Sequence, residues 1–270
     1  MRTTLLAVLL AACAAPAQTP APGVPPAPPP PWPEEGSVLT VLEAPTAARA
    51  LTVYLDPGHG VGTNSGNASC LCIDEQDHNL RVATHLAASL VGAAHHVAVA
   101  RSSNDGPSYD ERLQAAREAG ADLLLSLHSD ARGAARRWSP AEGKSCEWND
   151  ANPGFAVLWS DEGDDALVAA RHGLALALAA RLAEAGLLPY PGAEYAGIYE
   201  GEPAHPGVFL DRHEPRKRIK MLRRPVMPSV IIETHQAWDR REEPRWQEEA
   251  TLQAFDGAVT AALADWGAGG

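Results

Sequence analysis

Four side chains combine chemistry with position in this sequence: His59, Glu75, His128 and Glu233. His59 follows the apolar run "LTVYLD" (51–56) inside a glycine-rich turn, and His128 closes the run "ADLLLSLH" (121–128). Glu75 opens a long helical stretch after a polar loop. Two imidazoles and one carboxylate brought to one sheet edge make a His₂Glu set. Three protein ligands with one position left open are the arrangement of catalytic rather than structural zinc. Taken singly, a loop histidine is more often structural than a ligand, and spacing alone does not choose.

Glu233 lies near the end of "PSVIIET" (228–234). A buried carboxylate is costly unless it is paired or employed. One reading pairs it with Arg216, Lys217 or Arg218. The other makes it a general base beside a metal, its pKa raised by the apolar setting. If that strand runs on unbroken, His235 projects to the same face as Glu233. It is then placed to touch substrate or stabilise an oxyanion, unless it is a solvated or supporting residue. Asp130 stands in the same relation to His128. His78, His85, His95, His96, His172, His205 and His213 fall at no strand end and read as structural.

The elements that must position these residues are legible as apolar runs. Besides 51–56 and 121–128, "HVAVA" (96–100), "FAVLWS" (155–160) and "SVIIET" (229–234) read as buried strands. Between them lie helical periods. In "EQDHNLRVATHLAASLVG", Leu80, Val82, Ala83, Leu86 and Leu90 fall mostly on one face. "SYDERLQAAREAG" opens with Ser108 three before Glu111, a capping-box pattern. "DDALVAARHGLALALAARLAEAG" and "EEATLQAFDGAVTAALADW" complete the set. Strands alternating with helices predict a single α/β domain, a mainly parallel central sheet flanked by helices on both faces. Such sheets place their sites at C-terminal strand ends.

The chain has 270 residues, 45% of them hydrophobic, enough for one sizeable core. Its 34 acidic against 22 basic side chains give a formal net charge of -12. That argues against nucleic acid as a partner. The start, "MRTTLLAVLLAAC", has one positive charge and an apolar run too short to span a bilayer, so it reads as a secretory signal. Leu10-Ala11-Ala12-Cys13 resembles a bacterial lipobox, with Cys13 as the lipidated residue. The competing reading is an ordinary signal cleaved near Ala15 or Ala17. The Pro/Ala-rich stretch that follows favours extended polyproline II and serves as a spacer. The expected organisation is a signal peptide (1–12), lipidated Cys13 and linker (13–40), and a catalytic domain (41–270).

Without Cys13, an odd set of cysteines remains: Cys70, Cys72 and Cys146. Cys70 and Cys72 are too close to bridge each other. A disulfide from either to Cys146 is expected, the alternative being three thiols. Two segments, 132–153 and 195–220, look like insertions. The first lacks helical period and reads as a loop. In it, Trp138 and Trp148 are placed either to stack on substrate or to pack locally. The basic run "RHEPRKR" in the second reads as a solvated surface or a contact for peptide carboxylates.

"VYLDPGHG", "DEQDHNL", "RSSNDGPSYDERLQAAREAGADLLLSLHSDA" and "LRRPVMPSVIIET", in this order, resemble the zinc-dependent N-acetylmuramoyl-L-alanine amidases of the amidase-3 type. The likeness runs from about Leu51 to Trp266. It implies one Zn²⁺ per chain held by His59, Glu75 and His128, with Glu233 as the catalytic glutamate. It also implies hydrolysis of the amide between N-acetylmuramic acid and L-alanine of the stem peptide, with peptidoglycan as substrate. The chain departs where the family often has Glu-x-Gly-Phe, placing Glu233-Thr234-His235-Gln236 there. With the lipobox, the resemblance implies an exported cell-envelope lipoprotein at the periplasmic face of a membrane, with or without an activator protein. Two other readings stay open: a zinc carboxypeptidase or acyl-amino-acid deacylase, and a peptidoglycan-binding lipoprotein without catalysis.

Overall fold

A computed structural model of the chain describes residues 38–43 and 49–268. Cys13, the expected signal peptide and most of the expected linker lie outside the described residues. The first long apolar run forms β1 (Thr52–Pro57), followed by α1 (Glu75–Gly92), β2 (His96–Val99), α2 (Tyr109–Glu118) and β3 (Leu123–Asp130). The first insertion folds into a hairpin, β4 (Arg136–Trp138) and β5 (Cys146–Trp148). Then come β6 (Ala156–Trp159), α3 (Asp165–Glu184), β7 (Tyr199–Gly201), β8 (Val208–Asp211) and the short α4 (Lys220–Arg223). The chain ends with β9 (Ser229–Gln236), α5 (Glu242–Trp246) and α6 (Glu249–Ala268).

Seven strands make one sheet in the order β2-β1-β3-β9-β6-β8-β7. The half β2-β1-β3-β9 is parallel throughout. β6 joins β9 antiparallel, and β8 lies parallel to β6. The sheet is therefore mainly parallel, with its direction reversed at β9–β6 and again at β8–β7. Alternation sorts the side chains onto two faces. On one, Val53, Leu55, Leu125, Leu127, Val230 and Ile232 pack against α1, α3 and α6. On the other, Tyr54, Leu124 and Ile231 pack with Leu113 of α2 and Met221 and Leu222 of α4. His128 and Glu233 belong to this second face, being two residues on from Ser126 and Ile231.

α2 begins as its sequence predicts. Ser108 caps it and Glu111 reciprocates, since the backbone N–H of Ser108 donates to Glu111 Oε2 at 2.7 Å. The four short strands β4, β5, β7 and β8 all arise in segments that show no strand period in sequence.

Candidate active site

The site is built at the C-terminal ends of β1, β3 and β9. β1 ends at Pro57, and the next two residues turn sharply, with His59 at φ +60. That left-handed backbone is uncommon outside glycine and persists only where surroundings enforce it. Here two arginines enforce it by collecting the turn's carbonyls. The Arg101 guanidinium donates to Pro57 O at 2.8 Å and Gly58 O at 2.9 Å. Arg112 donates to Pro57 O at 3.0 Å and His59 O at 2.6 Å. Arg112 is fully buried and is neutralised by Asp56 at 2.8 Å, which also accepts from Ser126 Oγ at 2.6 Å. Gly58 has to be glycine, because any Cβ would overlap the His128 ring.

His59, Glu75 and His128 converge, with one candidate ligand atom from each lying within 4.8 Å of the others. Glu75 Oε1 is 3.1 Å from His59 Nε2 and 2.9 Å from His128 Nδ1. The second polar atoms of His59 and Glu75 are already engaged. His59 Nδ1 lies 2.9 Å from Asn64 Oδ1, an acceptor that fixes the proton on Nδ1 and frees Nε2. Glu75 Oε2 accepts from the backbone N–H of Asn67 at 3.0 Å and from its Nδ2 at 2.8 Å. Asn67 Nδ2 also donates to Ser129 O at 2.7 Å, which ties the loop before α1 to the end of β3.

Electrostatics follow the geometry. Burial alone would raise the Glu75 carboxyl, but hydrogen bonds from His128 and His59 outweigh it and hold the pKa well below the ordinary range. Burial pulls His59 down, yet Glu75 overcomes this and leaves it raised. Two imidazole nitrogens and a carboxylate oxygen, with His59 and Glu75 oriented by partners behind them, suit a borderline divalent ion such as zinc. Among the described residues, this is the one His/Cys/Asp/Glu group close enough for that.

Glu233 pairs across the strands with His128, which sets it beside the cluster. It is partly buried, and its Oε2 is enclosed without a hydrogen-bond partner. Burial pushes its pKa well above the carboxylate range, and the nearby charges of Asp130 and Glu75 push the same way. Arg216, Lys217 and Arg218 form no ion pair with it: Lys217 pairs with Glu214, and Arg218 with Asp161 and Glu162. A basic, poorly solvated carboxylate beside the donor set is what general-base chemistry requires.

His235 does not join this group. β9 carries an irregularity in its pairing with β3: His128 faces Glu233, but Asp130 faces Gln236. The extra residue breaks alternation and re-aims the side chains that follow. His235 is fully buried, its Nε2 2.8 Å from Glu243 Oε2 and its ring stacked on Trp246 at 5.2 Å. The expectation of a substrate or oxyanion contact at His235 is therefore corrected. It belongs to an interior network with Thr234 and His78. Asp130 does reach the site side, accepting from Arg132 Nε at 2.7 Å and from the Tyr195 hydroxyl.

Cys72 and Cys146 form a disulfide, while Cys70 is a buried free thiol. The disulfide ties the β4–β5 hairpin to the loop three residues ahead of Glu75. Trp138 and Trp148 pack on Arg240, whose guanidinium lies 5.3 Å and 3.7 Å from their rings. Arg101, Arg112, Asn64 and Asn67 carry no role in the sequence reading, because each acts through partners far along the chain or through backbone atoms.

The largely parallel α/β sheet thus brings two imidazoles and two carboxylates to one edge, a set suited to metal-assisted hydrolysis. The chain belongs to the amidase-3 family, N-acetylmuramoyl-L-alanine amidase, whose model matches residues 53–265. That family hydrolyses the amide joining N-acetylmuramic acid to L-alanine in peptidoglycan. Solved structures agree in fold. An N-acetylmuramyl-L-alanine amidase, Ami1, from Mycobacterium smegmatis is 21% identical, with a TM-score of 0.63 over 83% of this chain and 99% of that one. An N-acetylmuramoyl-L-alanine amidase from Clostridium difficile 630 is 20% identical, with a TM-score of 0.59 over 80% and 96%. The CwlD amidase from Clostridioides difficile, solved in complex with the GerS lipoprotein, is 15% identical, with a TM-score of 0.53 over 80% and 98%. A search of curated proteins finds no match.

Proposed function

We propose that the chain is a zinc-dependent N-acetylmuramoyl-L-alanine amidase in which His59 Nε2, Glu75 Oε1 and His128 Nδ1 hold one zinc ion and Glu233 is the general base. The observation that carries this is the convergence of those three atoms, with the second polar atoms of His59 and Glu75 already held by Asn64 and Asn67. Zinc, when bound, supplies a Lewis acid that polarises the scissile carbonyl and lowers the pKa of water toward about 7.

The chain's own residues do the rest. Glu233 takes a proton from the attacking water and returns it to the departing alanine nitrogen. Its enclosed Oε2 has no competing partner, so the carboxylate is free to accept. Asp130 adds negative charge that keeps Glu233 basic. No covalent intermediate is needed. The test is metal content with product analysis. Purified protein should hold about one zinc per chain and release stem peptides that begin with free L-alanine. A chelator should stop release and added zinc restore it. Release that persists in full after complete metal removal would refute the metal assignment.

Lipid anchoring at Cys13, with export to the cell envelope, is part of the same proposal. It rests on the lipobox-like Leu10-Ala11-Ala12-Cys13 after a short apolar run. Acyl chains on one cysteine add about 0.8 kcal/mol of membrane affinity per buried CH₂. Cys13→Ser should move the protein from the membrane to the soluble fraction, and unchanged fractionation would refute it.

A further inference from the structure

The first insertion opens a concavity of its own, outside the His59–Glu75–His128 cluster. A cleft of about 560 Å³ is lined by Arg136, Trp148, Asn149, Asp150, Asn152 and Glu194, among others. Its volume lies in the range of ordinary ligand sites. Gly133 at φ +76 keeps it open. A Cβ there would stand 2.5 Å from Asn149 Nδ2, 2.9 Å from Asn152 Nδ2 and 3.3 Å from Glu194 Oε1. The cleft is linked to the Asp130 side of the sheet edge by two chain segments. Gly133 is three residues beyond Asp130, and Glu194 immediately precedes Tyr195, whose hydroxyl donates to Asp130. The charges of Asp130 and Glu233 act on one another there.

The lining has a definite polarity. Arg136 is exposed, pairs with no carboxylate among the described residues, and touches only the Trp148 ring at 5.4 Å. Glu194 is exposed and engages Asn152 Nδ2 at 3.3 Å through Oε1 alone. Asp150 adds no free anion, because Arg240 Nε neutralises it at 3.1 Å. The cleft thus offers one available guanidinium, one available carboxylate and two amide side chains. It offers no open aromatic platform for a neutral pyranose, since Arg240 and Arg136 already lie over Trp148. The hairpin that carries Arg136 is held by the Cys72–Cys146 disulfide, so these groups are fixed rather than trailing.

The geometry points to a subsite for the peptide arm of the substrate, one that takes a peptide bearing both a carboxylate and a free ammonium, with Arg136 binding the first and Glu194 the second. This rests on the amidase reading. Guanidinium–carboxylate pairs are charge-assisted and directional, and a neutral strand cannot use them.

The test separates binding from catalysis by measuring calorimetric Kd values with full-length Glu233→Gln protein. Three soluble probes are compared: a muramoyl-peptide with a zwitterionic peptide, the same fragment with its carboxyls amidated and its amine acetylated, and the glycan without peptide. The zwitterionic fragment should bind about tenfold tighter than the neutralised one. Adding Arg136→Ala or Glu194→Gln should reduce that preference to about threefold or less, while Arg136→Lys keeps part of it. In the active enzyme Arg136→Ala should raise KM for the zwitterionic fragment by a larger factor than it lowers kcat. Equal affinity for charged and neutralised fragments would overturn the proposal. So would glycan binding that Arg136→Ala abolishes, which would make the cleft a sugar subsite. Failure of the amidase reading looks different: the charged fragment would bind with the stated preference, yet unmutated protein would cleave nothing.

Discussion

Asn67 grips one oxygen of Glu75 with two donors, its backbone N–H at 3.0 Å and its Nδ2 at 2.8 Å, and so turns the other oxygen toward the two imidazoles, where Ser129 N–H at 3.3 Å and Asn79 Nδ2 at 3.4 Å also reach it. The same Nδ2 holds Ser129 O, so one side chain sets both the rotation of Glu75 and its distance from β3. Outer partners of this kind typically contribute about 10–100-fold in metal affinity. Asn67→Ala should therefore weaken zinc binding by about that factor while leaving the fold intact. Competition against a chromogenic chelator, read beside the thermal midpoint, checks both. Unaltered affinity would show that Glu75 is oriented by something else.

Gly58 should be intolerant of even one methyl group. Its would-be Cβ overlaps the His128 ring, and that ring has nowhere to retreat without leaving Glu75. Gly58→Ala should lose zinc and at least about 100-fold in activity, a 1 Å displacement being enough for such a loss. Circular dichroism should still report the α/β fold. Stoichiometric zinc in Gly58→Ala would contradict the packing account.

How much of this was readable in advance varied with the physics involved. The strands β1, β3 and β9 and the four long helices come from apolar periods, and burial enforces those directly. The ligand-type residues were legible because each closes or opens one of these elements. β4, β5 and β7 were not, since "RRW", "CEW" and "YEG" are too short and polar to show a period, and β8, "VFLD", is apolar but only four residues long; all four strands depend on partners brought by the fold. His235 was misplaced because a β-bulge leaves no mark in composition. Arg101 and Arg112 escaped notice because they bind carbonyl groups, which the sequence does not distinguish from one residue to the next.

His78 and His235 should leave a pH signature in stability. Both are fully enclosed, and burial first, then neighbouring cations and His235 itself in the case of His78, pull each pKa down to about 3. The unfolded chain binds those protons from 6.5 downward, so the two histidines destabilise the fold progressively as pH falls from 6.5 toward 3. Glu242 and Glu243 act oppositely. Burial raises each to about 7, so their share of stability is lost as pH rises from 4.5 through 7. Below pH 4.5 these two carboxyls are protonated in both states and the histidines act unopposed by them. Denaturant titrations of metal-free protein should show a shallower acid slope in His78→Gln/His235→Gln than in the parent. Parallel slopes would mean these imidazoles are not held neutral.

The Cys72–Cys146 disulfide closes a sequence separation of 74 residues around α1, α2 and β3. On chain-entropy grounds a loop of that size stabilises by about 4 kcal/mol. Cys72→Ser/Cys146→Ser should lower unfolding free energy by about that order and weaken zinc binding less than Asn67→Ala does, because Asn67 touches Glu75 directly. Urea titrations with and without reductant measure it. Reductant should affect only the parent protein.

The proposed hydrolysis requires Glu233 to act as a base beside a metal it does not hold. The direct measurement is the peptide yield from purified peptidoglycan with Glu233→Gln, alongside its zinc content. The variant should carry zinc at the parent's stoichiometry and release about 10²-fold less peptide with a free L-alanine terminus, or none. Parent-level release by zinc-loaded Glu233→Gln would contradict it.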